Sequence, residues 1–193
     1  MLVAITGGIG CGKSLVSQLL NIMGYTVYDC DSNAKRLMLT DPELRRGLIG
    51  LFGKETYLAD GSLNKKHLSS SIFGNSDALD SMNSLIHPAV ARDLLNIYKD
   101  SKEILFYESA ILYESGFDKL AIPDFVISVS SPLELRISRV MTRDHTSRDL
   151  VLNRIESQFQ QEYKDNRADF IIHNDDSNSV IRQTEECIMK LKV

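Results

Sequence analysis

A glycine-rich segment near the start of the chain constrains the fold more than any other feature of the sequence. Residues Gly7 to Ser14 have the sequence GGIGCGKS, which matches the P-loop pattern G-x-x-x-x-G-K-[ST]. The segment follows an apolar run, Leu2 to Thr6, and precedes a stretch with helical periodicity. Glycines let successive N–H groups turn around a phosphate, and the positive end of the following helix points at the same anion. The pattern therefore predicts a nucleotide-phosphate site between a strand and a helix.

The residue types within this segment predict separate roles. Lys13 is expected to reach the β- and γ-phosphates of a nucleotide, and the hydroxyl of Ser14 to bind Mg²⁺, which needs only one or two protein oxygens. The alternative is a glycine-rich turn that only caps a helix. The ATP-binding residues expected here are Gly8, Ile9, Gly10, Cys11, Gly12, Lys13, Ser14 and Leu15.

Composition limits the class of protein. The 193 residues include 43% hydrophobic and 25% charged positions, enough for one compact domain with a core. The net charge of −4 argues against a protein that coats nucleic acid. The three cysteines are scattered without C-x-x-C spacing, which favours a reducing cytoplasm over a disulfide framework or a zinc site.

We expect no membrane partner, because the sequence contains neither a secretory leader pattern nor an apolar run long enough to cross a bilayer. A cytoplasmic protein is the resulting expectation. The sequence does not set the oligomeric state. A monomer is expected, with weak self-association as the alternative.

Five apolar, β-rich runs alternate with segments of helical periodicity. They are Leu2 to Thr6, Tyr25 to Tyr28, Ile104 to Tyr107, Phe125 to Val129 and Phe170 to His173. Continuous apolar runs of this length are typical of buried parallel strands. We predict an α/β fold of the P-loop kinase type, a doubly wound five-stranded parallel sheet with ligands at the carboxyl ends of its strands.

Two helical segments are predicted to complete a single domain over residues 1–193. The first is a helical insertion at about residues 32–101, with helices from Asp41, over Asn64 to Phe73 and over Ser76 to Lys99, the last bent near Pro88. This insertion is a natural place to recognise a second substrate.

The second is a lid at about residues 132–161. It begins at Pro132 and contains two helices, Leu133 to Arg143 and Asp149 to Gln161, which carry few apolar residues for a deeply buried position. A last amphipathic helix is expected over Ser179 to Leu191.

Two carboxylates follow predicted strands. Asp31 lies just after the second strand and is a candidate for the group that orients, and deprotonates, an acceptor hydroxyl. The alternative is that Asp31 or Ser32 caps a helix over Ala34 to Leu39. Glu108 ends the third strand in a Walker-B-like arrangement that would hold a metal-bound water, the alternative being a structural strand-end carboxylate.

Three arginines in the predicted lid recur at helical spacing. Arg136, Arg139 and Arg143 fall on one face of the first lid helix. Arg139 and Arg143 are candidates to stabilise charge on a transferring phosphoryl group, as an arginine finger supplied in cis does. The alternative is that these side chains are ordinary arginines of an exposed helix.

Along nearly its whole length the chain resembles the dephospho-CoA kinase family. The segment Ile5 to Ser14 is similar to the family's T-G-G-I-G-S-G-K-S, with Cys11 in place of serine, and Val27 to Asp31 is similar to V-[IV]-D-A-D. Further markers agree in order and spacing. They are Leu51 to Gly53, Asp60 to Asn64, Ile72-Phe73, His87-Pro88, Arg139 with Arg143-Asp144, Arg154 to Gln158, and Ala168 to Asn174.

The resemblance implies roles for particular residues. It implies that Asp31 is the catalytic base, that His87 lies in the region that meets the CoA moiety, and that Asn174 lies near the adenine pocket. One departure stands out, because Glu108 and Ala110 occupy positions where the family usually has Asp and Pro. The resemblance therefore leaves the role of Glu108 open.

The implied activity is the ATP-dependent phosphorylation of the ribose 3′-hydroxyl of dephospho-CoA, with Mg²⁺ as cofactor and ATP and dephospho-CoA as ligands. The rival interpretations are another small-molecule kinase, a GTPase switch, and a nucleotide-binding protein without catalysis. The GTPase lacks support in the sequence, which has neither N-K-x-D nor D-x-x-G after the third strand.

Overall fold

The computed structural model describes residues 1–101 and 103–192, which form two compact units. The sheet unit comprises Met1–Asp29 and Asp100–Val193, and the helical unit comprises Cys30–Lys99. The helical unit nearly coincides with the insertion expected at about residues 32–101. The single-domain organisation predicted from the sequence stays a prediction.

The elements, in chain order, are β1 (Leu2–Thr6), α1 (Lys13–Ile22), β2 (Thr26–Asp29), α2 (Cys30–Thr40), α3 (Pro42–Phe52), a 3₁₀ turn (Lys54–Thr56), α4 (Lys65–Ile72), α5 (Ser76–Asp100), β3 (Leu105–Glu108), α6 (Phe117–Leu120), β4 (Phe125–Ser130), α7 (Leu133–Asp144), α8 (Arg148–Glu156), α9 (Gln161–Asp165), β5 (Phe170–His173) and α10 (Val180–Leu191).

The five strands form one sheet in the order β2-β3-β1-β4-β5, and every neighbouring pair is parallel. This confirms the predicted fold and all five apolar runs, with ends shifted by one residue at most. All five residues of β1 are buried, as expected for the central strand of a sheet covered on both faces. Because the strands are parallel, their carboxyl ends lie along one edge, where Thr6 leads into the glycine-rich segment.

The core of the sheet unit lies between the strands and the apolar sides of α1 and α10. It contains Val3, Ile5, Cys11, Val16, Leu20, Phe106, Ile127, Val129, Ile172, Cys187, Ile188 and Leu191. All three cysteines are buried thiols outside any disulfide, and burial raises the pKa of the Cys187 thiol to about 12. This thiol therefore stays protonated and acts as a small apolar group.

The predicted lid forms two helices, but the second is shorter than expected. The sequence predicts a helix up to Gln161, whereas α8 ends at Glu156. The reason is a tertiary contact, because the N–H of Phe159 donates to the carboxylate of Glu114 at 2.9 Å instead of continuing the helix. The expected shortage of apolar residues is also only partly right, since Ile137 and Val140 of α7 are buried against Val151.

Local capping determines where the helices of the helical unit begin. The carboxylate of Asp41 accepts the N–H groups of Glu43 and Leu44, so that α3 starts where Asp-Pro-Glu predicted it. Asn64 caps α4 in the same way. Helix α5 is continuous over Ser76–Asp100 with Pro88 inside it, and the predicted bend stays a prediction.

Helix α2 starts earlier in the chain than the capping interpretation of Asp31 requires. The helix begins at Cys30, which places Asp31 in its first turn rather than at a cap before Ala34. The capping interpretation of Asp31 is therefore wrong. A carboxylate in the first turn still interacts favourably with the helix dipole.

Across the described residues, none of the helices combines the length and the apolar character that crossing a lipid bilayer requires.

Candidate active site

Three glycines give the segment Gly7–Ser14, here called the phosphate loop, its shape. Gly7, Gly10 and Gly12 have φ angles of 143°, 79° and 98°, a region that residues with a Cβ rarely adopt. A Cβ on Gly10 would also lie 2.6 Å from the carbonyl oxygen of Arg136, a backbone atom that cannot move aside. Gly12 is the N-cap of α1, so the loop leads directly into a helix N-terminus.

Lys13 is buried and is held by the loop itself. Its Nζ donates to the carbonyl oxygens of Gly7 at 3.1 Å and Gly8 at 3.3 Å. An ammonium group has three N–H donors, so these two bonds aim the charge and leave one donor for a phosphate oxygen. The contact of Lys13 with the β- and γ-phosphates stays a prediction.

Several N–H groups of the phosphate loop are not used by the protein. In the part of the chain that the structure describes, the N–H groups of Gly10, Gly12, Lys13 and Ser14 donate to no protein acceptor. They lie at the N-terminus of α1, where unsatisfied donors and the helix dipole attract anions. The loop thus provides four main-chain donors for phosphate oxygens.

A cleft of about 170 Å³ adjoins the phosphate loop. The lining residues are Gly10, Gly12, Lys13, Ser14, Arg139, Val140 and Arg143. Both arginines expected to act on a phosphoryl group therefore line the same cleft as the expected phosphate-binding lysine and serine. Leu15, also expected to bind ATP, follows Ser14 in the first turn of α1 with an exposed side chain.

Arg139 connects the cleft to the chain after β5. Its Nη1 donates to Ser131 Oγ at 3.1 Å and to the carbonyl oxygen of Asn174 at 3.2 Å, and its Nη2 pairs with Asp176 at 2.9 Å. The Nδ2 of Asn174 in turn donates to the carbonyl oxygen of Cys11 at 2.9 Å. Asn174 therefore contacts the phosphate loop, and this network fixes Arg139 at the wall of the cleft.

Arg143 is held by its neighbour in sequence. Asp144 accepts from Arg143 Nε at 2.7 Å and from Arg154 Nη1 at 2.8 Å. The hydrogen bond to Asp144 raises the pKa of Arg143, and the bond from Arg143 lowers the pKa of Asp144. Both side chains stay ionised, so Arg143 brings a permanent positive charge to the cleft.

Glu108 lies beside the helix that follows the loop. Its Oε2 accepts from Ser17 Oγ at 2.6 Å, and its Oε1 lies 3.5 Å from Ser14 Oγ. The parallel register places β3 next to β1, which brings the end of β3 to the start of α1. The carboxylate that departs from the family pattern thus sits next to the hydroxyl expected to bind Mg²⁺.

The two residues expected to meet the acceptor lie in the helical unit. Asp31 is exposed in the first turn of α2, and His87 is half-buried in α5. Burial lowers the pKa of His87, while the negative charge of Asp31 partly opposes that shift. His87 is therefore a neutral imidazole at neutral pH, able to donate one hydrogen bond and accept another.

Three side chains hold the phosphate loop through contacts that the sequence does not predict, although Arg136 among them belongs to the arginine set of the predicted lid. Arg136 is buried against Ile9, Gln158 binds the same residue, and Gln161 binds Gly8. Gln158 belongs to a marker shared with the resembled family, which was a signal of its importance but not of its contact. Nothing in the local sequence pointed to Gln161.

Comparison with known proteins agrees with this arrangement. The family model described as dephospho-CoA kinase matches residues 1–179. The chain belongs to the dephospho-CoA kinase family. A dephospho-CoA kinase from Bacteroides fragilis is 42% identical, over 96% of this chain and 90% of that protein. One from Porphyromonas gingivalis is 40% identical, over 83% of this chain and 78% of that protein.

Solved structures extend the comparison to the fold. A Thermus thermophilus protein superposes with a TM-score of 0.85 at 29% identity, covering 100% of this chain and 98% of its own. The dephospho-CoA kinase from Campylobacter jejuni gives 0.62 at 25% identity, covering 99% and 95%. A shikimate kinase from Acinetobacter baumannii gives 0.55 at 14% identity, covering 98% and 91%, a likeness of fold alone.

Proposed function

We propose that this protein transfers the γ-phosphoryl group of ATP to the 3′-hydroxyl of dephospho-CoA, producing coenzyme A and ADP. The observation that carries the proposal is the cleft in which Lys13, Ser14, Arg139 and Arg143 meet at the phosphate loop, in a chain that the dephospho-CoA kinase model matches over residues 1–179. Phosphoryl transfer asks mainly for positioning and for compensation of charge, and these groups supply both.

The sheet unit carries the groups proposed to hold ATP. The N–H groups of Gly10 to Ser14 and the ammonium of Lys13 bind the β- and γ-phosphates. Arg139 and Arg143 compensate the charge that develops on the equatorial oxygens of the transferring group. Asn174, which contacts the loop through Cys11, lies toward the adenine ring in this proposal.

The oxygen groups at the start of α1 fit Mg²⁺. Ser14 Oγ and the Glu108 carboxylate are hard oxygen donors, and Mg²⁺ bound to a nucleotide needs few protein ligands because water and phosphate fill the rest. In the described part of the chain no cluster of three or more His, Cys, Asp or Glu side chains forms an all-protein metal site, in keeping with a cation that arrives with the nucleotide. When bound, Mg²⁺ would neutralise phosphate charge.

The helical unit carries the groups proposed to act on the acceptor. Asp31 accepts a hydrogen bond from the 3′-hydroxyl, orients its oxygen and takes its proton as the new bond forms. The neutral His87 beside it binds the substrate and keeps Asp31 in a polar environment. An exposed carboxylate is well suited to this role, because it is open to a ligand.

The experiment is a coupled ADP-release assay with purified dephospho-CoA and Mg·ATP. We expect saturable ADP release that depends on dephospho-CoA and is lowered on the order of 100-fold or more in Lys13→Ala. Nucleosides, shikimate and other small alcohols form the control panel. Turnover of one of these in place of dephospho-CoA would show a different small-molecule kinase, and ATP binding without turnover of any acceptor would contradict catalysis altogether.

A further inference from the structure

The outer side of the phosphate loop is held by side chains from the lid and from the segment that follows it. Two glutamines accept consecutive N–H groups of the loop: the N–H of Gly8 donates to Gln161 Oε1 at 3.0 Å, and the N–H of Ile9 donates to Gln158 Oε1 at 2.8 Å. Both glutamines lie where α8 has ended and α9 begins. Two consecutive peptide groups of the loop are therefore fixed from outside.

Arg136 holds the same peptide groups from the other side. Its Nε donates to the carbonyl oxygen of Ile9 at 2.9 Å, and its guanidinium packs so closely on Gly8 that a Cβ there would overlap it. The side chain is buried, and burial lowers its pKa from the ordinary value without neutralising a guanidinium. Ile9 thus has both its N–H and its carbonyl group bound by side chains.

The N–H groups of the phosphate loop fall into two pairs. The N–H groups of Gly8 and Ile9 are satisfied by glutamines, whereas those of Gly10 and Gly12 have no acceptor among the residues described. A flexible loop could turn any of these groups toward solvent. Because the glutamines fix the N–H groups of Gly8 and Ile9, the N–H groups of Gly10 and Gly12 stay in position to bind an anion.

The glutamine segment is itself anchored. Glu114 Oε1 accepts from the N–H of Phe159 at 2.9 Å and from Nζ of the fully buried Lys164 at 2.7 Å. Gln161 also donates through Nε2 to the carbonyl oxygen of Val129 at 3.2 Å, at the end of a central strand. The support therefore extends from the loop to the rigid sheet, which is what a precise positioning device requires.

We propose that Gln158, Gln161 and Arg136 are positioning residues that hold the nucleotide-free phosphate loop in its anion-binding shape. The consequence is a lower entropic cost of binding the triphosphate, because the peptide groups of the loop are already ordered before ATP arrives. The three side chains touch neither substrate nor metal in this role. The identity of the nucleotide in this inference rests on the proposed function. The binding of ADP tests the inference in the absence of any phosphoryl acceptor.

Gln158 offers the sharpest test, because among residues 1–101 and 103–192 its side chain makes a single hydrogen bond, the one from Ile9. Gln158→Met removes the acceptor at similar size, and Gln158→Glu restores an acceptor oxygen. The matched control is Gln160→Met, since Gln160 is exposed two residues away and its side chain caps nothing. Binding of ADP is measured by calorimetry for each variant.

We expect Gln158→Met to raise the Kd of ADP roughly 5- to 50-fold relative to Gln160→Met, the range expected for leaving a loop N–H without its partner. Gln158→Glu is expected to recover most of that loss. In steady-state assays the KM for ATP should rise while the KM for dephospho-CoA stays unchanged. Equal ADP affinities of Gln158→Met and Gln160→Met, or a parallel rise of both KM values, would overturn the proposal.

Hydrogen exchange in the unaltered protein tests the same point without a variant. In the nucleotide-free state, NMR should show slower exchange of the Gly8 and Ile9 amides than of the Gly10 and Gly12 amides. Addition of ADP should then slow the second pair. Equal fast exchange of all four amides before ADP is added would show that the loop is not held in advance and would overturn the proposal. Loss of dephospho-CoA kinase activity alone, with this exchange pattern intact, would contradict only the proposed acceptor.

Discussion

Single residues at the phosphate loop depend on the kind of partner that they contact and on the space beside them. Lys13 is buried, yet it is surrounded by main-chain carbonyl oxygens rather than by a carboxylate. A charge held by neutral dipoles attracts an incoming anion more strongly than a charge paired with a carboxylate does. Gly10 has little space beside it, because the backbone of α7 lies where a Cβ would be placed.

Gly10 and Gly24 form a matched pair for testing this closeness. Both have positive φ, 79° and 91°, but a Cβ on Gly24 would meet nothing within 4 Å. Each change to alanine should cost about 1–2 kcal/mol of folding stability from the backbone alone. Only Gly10→Ala should also weaken ADP binding, by on the order of 10-fold or more, because it displaces the loop. Calorimetric titration with ADP separates the two, and equal affinities would contradict the close contact.

Asp31 is the residue on which catalysis depends most in the proposed function. Asp31→Asn keeps the size of the side chain but cannot accept a proton, so kcat should fall by roughly 10²- to 10⁴-fold while ADP binding is unchanged. Asp77→Asn is the control, an exposed aspartate in the first turn of another helix of the same unit. Steady-state rates and ADP calorimetry provide the comparison. Equal rates of the two variants would exclude Asp31 as the base.

Among the secondary-structure elements, the helix starts show how local chemistry sets boundaries. Asp41 accepts the N–H groups of Glu43 and Leu44 at 2.8 and 3.0 Å and also pairs with Arg92. The hydrogen bond from the Leu44 N–H is the main cause that lowers the pKa of Asp41. The end of α8 shows the opposite case, because it depends on Glu114, which is 45 residues away from Phe159 in the chain.

The cap of α3 is expected to contribute measurable stability. Asp41→Ala should lower the free energy of unfolding by about 1 kcal/mol, and Asp41→Asn by less because an acceptor remains. Since the folded-state pKa of Asp41 is lowered, the ionised cap stabilises the fold above the unfolded value of 3.8, and this stabilisation is lost as the pH falls through the folded-state pKa. In urea unfolding, the difference between parent and Asp41→Asn should be largest at about pH 7 and should shrink as the pH falls below the unfolded-state value of 3.8 toward the folded-state pKa. A difference that persists unchanged in acid would contradict the role of the charge.

At the scale of the whole molecule, the proposed chemistry is divided between two units of different construction. The sheet unit has a large apolar core and carries the phosphate loop, while the helical unit consists of four helices and carries Asp31 and His87. Each unit is expected to respond to its own ligand. In the proposed function, ATP and ADP bind through main-chain donors of the sheet unit, and the acceptor binds through side chains of the helical unit.

Ligand addition tests this division. ADP at about 100 times its Kd should stabilise the folded protein by about 2.7 kcal/mol. Hydrogen–deuterium exchange should show that ADP alone protects the phosphate loop and α1, and that dephospho-CoA alone protects the start of α2 and the middle of α5. Lys13→Ala is expected to lose the first response and keep the second. Protection by ADP confined to residues 30–99 would contradict the placement of the nucleotide site.

The sequence by itself determined the features that depend on neighbouring residues. The phosphate loop, the five strands and the starts of α3, α4 and α10 were predicted within a residue or two, because glycine conformation, apolar runs and capping side chains act locally. The family was also evident from spaced motifs. Apart from Val140, the residues that line the cleft are predicted for the same reason, since each belongs to a recognisable motif.

Only the tertiary structure decided how distant parts of the chain meet. The position of β3 between β2 and β1 brings Glu108 to Ser17, and the bond between Ile9 and Gln158 joins residues 149 apart. The early end of α8 and the burial of Arg136 have the same origin. Such contacts depend on the packing of whole elements, whose free energy is the sum of many small contributions. No local sequence pattern therefore predicts them.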